Sequence, residues 1–225
     1  MKHRRFALAL LVVPLIAASQ PQHKAAAPES KPSAPPAPKI AEDAQLYRNS
    51  TFAFRFKVPY GWVNRTKEMR EQEGAEKPDA TDKDAKEKPA NEKASAQGDL
   101  LLSVFERPPD AIGETVNSAV VIASENAAAY PGLKKAEDYV SPLTELTTAK
   151  GFKAEGDPEI VSIDSRQLVR ANFNKPLNDK LTMHQSTLIL LAKGRIVSFT
   201  FIAGSEAEVD DLIEGLHFGT ARPQH

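Results

Sequence analysis

The chain contains no cysteine. Disulfide staples, thiolate metal sites and cysteine nucleophiles are therefore excluded, and the fold must rest on core burial. An excess of one charge is missing too. Lys and Arg number 29 against 30 Asp and Glu, a formal net charge of −1. That balance argues against a nucleic-acid partner, which calls for a basic patch, and gives no strong attraction to anionic lipid. The chain has no Gly-x-Ser-x-Gly elbow, no His-Glu-x-x-His pair and no Gly-rich phosphate loop, so the common hydrolase, metalloprotease and nucleotide signatures are absent. Its apolar run Phe6–Ala18 is short beside the roughly 20 residues of a membrane span.

That run has another reading. Lys2, His3, Arg4 and Arg5 precede it, and Ala17 and Ser19 supply small residues at cleavage spacing. Residues 1–19 are expected to be a secretory signal peptide, so the protein is exported, to the periplasm or beyond. Pro14 interrupts the run and speaks against a buried core helix. Left uncleaved, the same segment would anchor the chain in a membrane, the only membrane contact expected. Lipid attachment at a following cysteine is ruled out. Residues 20–45 carry Pro21, Pro28, Pro32, Pro35, Pro36 and Pro38 among alanines, a composition that suits either a semi-rigid tether or a disordered tail.

The folded domain is expected over residues 46–219, with 220–225 as a tail. Phe52, Phe54, Phe56 and Val58 alternate with Ala53, Arg55 and Lys57, the period of a strand with one buried face. Pro59 and Gly61 end it. Residues 65–97 are dominated by charges that nearly cancel, with Met69 the only sizeable apolar side chain. Such a segment is expected to be a disordered insertion, with transient helix near its start. Strands resume at Leu100–Arg107 and Ser118–Ser124. A helical pattern follows at Ala136, Tyr139, Val140, Leu143 and Leu146, ending near Lys150-Gly151. Pro142 either kinks that helix or starts a shorter one capped by Ser141. Two hairpins are expected: Glu159–Ile163 with Gln167–Phe173 around Asp164-Ser165, and Leu181–Ala192 with Arg195–Ala203 around Lys193-Gly194. Ser205 and Glu208 read as the capping box of a last helix whose apolar face is Val209, Leu212, Ile213 and Leu216. The fold class is α+β, an antiparallel β-sheet flanked by helices.

The strand ending Phe56-Lys57-Val58-Pro59-Tyr60-Gly61-Trp62 resembles the opening of PsbP-like proteins, whose fold is shared with Mog-type proteins. The closing hairpin Gly194–Phe201, with its following helix and Gly215-Leu216-His217-Phe218, is similar to theirs as well. The resemblance spans about Tyr47 to Gly219 without the charged insertion, and suggests a bacterial exported member. It implies a PsbP/Mog-like fold and protein binding without catalysis. No binding residue is carried over, because contact residues differ among members.

Candidate chemistry is sparse. His184 lies on a strand with Thr182 and Ser186 on its face, and His217 ends the last helix; neither belongs to a sequence-spaced ligand set. Asp210, Asp211 and Glu214 read as a solvated helix face rather than a calcium site, and Trp62 as a core plug rather than a ligand platform. No catalytic residue, metal or cofactor is expected. The leading expectation is a non-catalytic binding or adaptor domain tethered in the cell envelope, its partner another envelope protein. The alternatives are a small-molecule or metal-binding carrier with a groove between sheet and helix, and an enzyme of unrecognised type centred on His184 and a nearby carboxylate.

Overall fold

The computed structural model describes residues 45–75, 98–111 and 113–219. The expected signal peptide, the tether up to residue 44, the charged insertion from residue 76 to 97 and the tail lie outside the described residues.

The fold is α+β and built on two antiparallel sheets. Strand β1 (Leu46–Asn49) forms a hairpin with β2 (Phe54–Lys57), and β2 also pairs with the last strand, β10 (Leu216–Phe218), giving a small sheet of order β1-β2-β10. The main sheet runs β3 (Val63–Asn64), β4 (Asp99–Phe105), β5 (Ala119–Asn126), β9 (Arg195–Ala203), β8 (Thr182–Ala192), β7 (Arg166–Pro176) and β6 (Lys153–Ile163), in that spatial order. The aromatic strand is therefore the centre of a second sheet, not an edge of the main one. Phe52, Phe54, Phe56 and Val58 all face inward and pack with Val104, Ile122, Leu188, Phe199 and Phe201 from one face of the main sheet. The Gly215–Phe218 pattern continues from the final helix as a strand, because Leu216 and Phe218 lie two apart and both enter that core.

Among the described residues there are three α-helices: α1 (Thr66–Ala75), α2 (Val140–Thr148), entered through a 3-10 turn at Ala136–Tyr139, and α3 (Glu206–Ile213). Helix α1 stands at the start of the charged segment, where transient helix was expected, and the rest of that segment lies outside the described residues. The helix lies along the outer edge of β4, where β3 has stopped pairing. Arg70 Nε donates to the Leu100 carbonyl at 2.6 Å, and the Thr66 hydroxyl accepts from the Ser103 amide at 2.9 Å. A polar helix thus satisfies backbone groups that an open sheet edge would leave bare. In α2, Tyr139 is the cap and Pro142 sits in the first turn, where its missing N–H has no intrahelical partner to lose. The helix is therefore not a shorter one that starts at Pro142 with Ser141 as its cap.

The first predicted hairpin is longer than its alternation suggested. β6 begins at Lys153, because Gly156 (φ 65°) and Pro158 fall in a register shift between Glu155 and Glu159 on the sheet's outermost strand. A bulge on an edge strand tolerates both residues. At the second hairpin, Lys193 and Gly194 both have positive φ (53° and 70°), the geometry that matches the twist of paired strands. Ser205 caps α3 by accepting from the Glu208 amide, while the Glu208 carboxylate turns back to the Gly204 amide rather than to Ser205 itself. The capping box is offset by one residue.

The other face of the main sheet is covered only in part. Tyr139 and Leu143 pack on Val169, Ala171, Phe173, Ile189 and Ile196. The rest of that face, on β5, β9 and β8, is left for the site described next.

Candidate functional site

Register places the floor. Ala119 stands opposite Ile202 and Val121 opposite Thr200 across β5–β9, while Gln185 stands opposite Ile202 and Thr187 opposite Thr200 across β8–β9. Paired residues point to the same side of a sheet, so Gln185, Thr187, Ser198, Thr200 and Ile202 share one face. Helix α2 rises beside them with Leu143, Leu146 and Thr147 turned toward the sheet, and Lys150 lines the same space just past its end. Residues 105–111 and 113–117 form the opposing wall, and the turn at Leu177–Leu181 closes one side. Together they enclose a largely apolar cavity of about 380 Å³. That lies within the ~300–1,000 Å³ of small-molecule sites.

The polar groups of the cavity are mostly fixed to one another. Gln185 Nε2 donates to the Thr187 hydroxyl at 3.2 Å, and Thr187 and Thr200 share a hydrogen bond at 3.1 Å. Glu125, only 6% exposed, accepts from the Tyr139 hydroxyl at 2.7 Å and from the Tyr130 hydroxyl. The two tyrosine rings meet edge to face at 5.1 Å. Burial, reinforced by the neighbouring carboxylate, pushes both phenols well above their ordinary range. They act here as fixed donors, not as acids. At the cavity's other end Lys175 Nζ donates to the Lys150 carbonyl at 2.8 Å and lies 5.6 Å from the centre of the Phe152 ring. Burial pushes the Lys150 ammonium below its ordinary value.

The fold is similar to that of PsbP- and Mog-type proteins. Cyanobacterial PsbP from Synechocystis matches at 14% identity and a TM-score of 0.44, over 81% of this chain and 97% of that one. The Ran-binding protein Mog1p of Saccharomyces cerevisiae matches at 9% and 0.41, over 78% and 95%. LpqN of Mycobacterium tuberculosis, involved in cell envelope biogenesis, matches at 9% and 0.38, over 78% and 90%. At these identities the likeness is one of fold. No protein-family model and no curated protein matches the chain in sequence.

The residues singled out in the sequence lie elsewhere. His184 is on the opposite side of the sheet from the cavity, beneath α3. Its Nδ1 is buried without a hydrogen-bond partner, 3.9 Å from a Glu206 carboxylate oxygen. Glu155 of β6 joins them, so one nitrogen and two carboxylates come within 4.8 Å of one another. Three separate elements build this group, which is why no spacing in the sequence announces it. A cation there would also meet the first turn of α3, whose exposed N–H groups carry partial positive charge, and the Arg170 guanidinium lining the same small hollow. His217 is on β10, 3.6 Å from Asp164. Asp210 is held by Arg170 at 2.7 Å, whereas Asp211 and Glu214 are exposed. Trp62 is half-buried against the main core.

The cavity residues themselves escaped sequence reasoning. Glu125 had a usable signal: it continues the inward series Val121 and Ala123 on β5, so the strand's period alone puts a carboxylate on a buried face. Lys150 and Lys175 had none, since each is one lysine among many.

Proposed function

We propose that this chain is a non-catalytic binding protein that holds a largely apolar small molecule between α2 and the β5–β9–β8 face. The cavity carries this reading: its wall is apolar, and most of its polar groups already satisfy one another, so little there is arranged for turnover. A carrier fits better than a protein-docking adaptor. Among the described residues the exposed large hydrophobics are Leu46, Tyr60 and Ile160, on β1, the β2–β3 turn and β6, without the broad apolar patch that a docking face presents. Export to the cell envelope belongs to the same proposal and rests on the Phe6–Ala18 run. No helix among the described residues is long and apolar enough to cross a membrane.

Displacement fluorometry with the uncharged apolar dye N-phenyl-1-naphthylamine tests the reading. The protein is expected to bind the dye saturably at one site. Leu146→Trp, which places an indole in the cavity from a half-buried helix position, is expected to weaken binding at least about tenfold through loss of the space itself. Non-saturable binding, or a variant that binds as well as the parent at an unchanged melting temperature, would overturn it.

A further inference from the structure

Resting on that cavity reading, the charge distribution inside it specifies the ligand further. The cavity is lined by four charged side chains: Arg107, Glu125, Lys150 and Lys175. Two are engaged by neighbouring groups within the fold. Glu125 accepts both tyrosine hydroxyls. Arg107 donates to the hydroxyl and carbonyl of Thr115 and lies 3.7 Å from Glu106, although its buried Nε keeps no partner. The two lysines differ. Among the described residues no carboxylate lies within 4.0 Å of either. The two residues are neighbours, because the Lys175 ammonium donates to the Lys150 backbone carbonyl just past the end of α2. An ammonium taken partly out of water without a counter-ion is a costly arrangement. Burial accordingly lowers the pKa of Lys150 from its ordinary value.

From that end the lining turns apolar, through Leu143, Leu146, Leu177, Leu181, Met183 and Ile202. We infer that the cavity takes a single-chain anionic amphiphile, its head between Lys150 and Lys175 and its tail along α2 and the sheet. The anion supplies the missing counter-charge, and the tail displaces water from the apolar side chains of that lining. Carboxylate and phosphate monoester heads share this chemistry.

The test compares three probes of equal chain length by isothermal titration: laurate, dodecyl phosphate and dodecanol. At least one anion is expected to bind about tenfold or more tighter than the alcohol, as a charge-assisted hydrogen bond implies; the tighter anion identifies the head group. In Lys150→Gln/Lys175→Gln that advantage is expected to vanish while dodecanol affinity stays within about twofold, a pattern that general unfolding does not produce. Equal affinity for all three probes, or an anion preference that survives the double substitution, overturns the head-group assignment and leaves the apolar cavity standing. Binding of none of the three overturns the cavity reading as well.

Discussion

Tyr139 does two jobs with one side chain. Its ring closes the core between α2 and the sheet, and its hydroxyl gives Glu125 a donor that water cannot reach. Removing that hydroxyl leaves a buried carboxylate with one phenol fewer, which costs about 1–3 kcal/mol. Burial of the phenol, reinforced by the Glu125 carboxylate, makes stability fall in alkali. The phenol's pKa in the folded protein stands above its ordinary value of 10.0, so its contribution is complete below pH 10 and is lost as pH rises beyond it, when the unfolded chain ionises first. Urea unfolding near neutrality and about one unit above that value is expected to show this decline. In Tyr139→Phe the neutral stability is expected to be lower and the alkaline decline shallower, by up to about 1.4 kcal/mol per pH unit. An unchanged alkaline slope would mean that Tyr139 does not carry it.

Helix α3 depends on its first turn. Ser205 accepts from the Glu208 amide, and the Glu208 carboxylate in turn accepts from Gly204, so the two tie the end of β9 to the helix that roofs the aromatic core. Ser205→Ala is expected to cost about 1 kcal/mol in chemical denaturation, whereas Ser205→Asp, a cap of equal quality, is expected to be close to neutral. A loss as large for Asp as for Ala would show that the cap does not matter. Elements of this kind were legible in the sequence because their signals are local: a cap three residues before its partner, an alternation within one strand, a Lys-Gly turn. What was not legible depends on registers between distant strands. The aromatic strand announced itself as a strand, but its joining to Leu216–Phe218 in a second sheet is a pairing of residues far apart. Helix α1 was legible only as transient helix, because the β4 edge that holds it lies about 30 residues further along the chain. The cavity arises where α2 stops short of covering the main sheet, a property of three elements at once.

At the scale of the molecule, the two sheets are joined without covalent help, so their interface has to supply what disulfides supply in cross-linked domains. The aromatic contacts between sheets mark where that happens. Phe54 of the small sheet meets Phe199 of the main sheet edge to face, with ring centres 5.0 Å apart, and Phe218 closes on both. Edge-to-face pairs contribute about 0.5–1.5 kcal/mol beyond the area they bury. A double-mutant cycle isolates that share. Phe54→Leu and Phe199→Leu keep most of the apolar volume and remove one ring each. Their combined cost is expected to fall short of the sum of the single costs by about 0.5–1.5 kcal/mol, because the pair can be lost only once. The denaturant dependence should stay the same for all four proteins, as it does when two sheets unfold as one unit. Costs that add to within about 0.3 kcal/mol would show that the rings contribute through area alone. A shallower dependence in the variants would show that the small sheet separates first, and that the main sheet, with its cavity, stands without it.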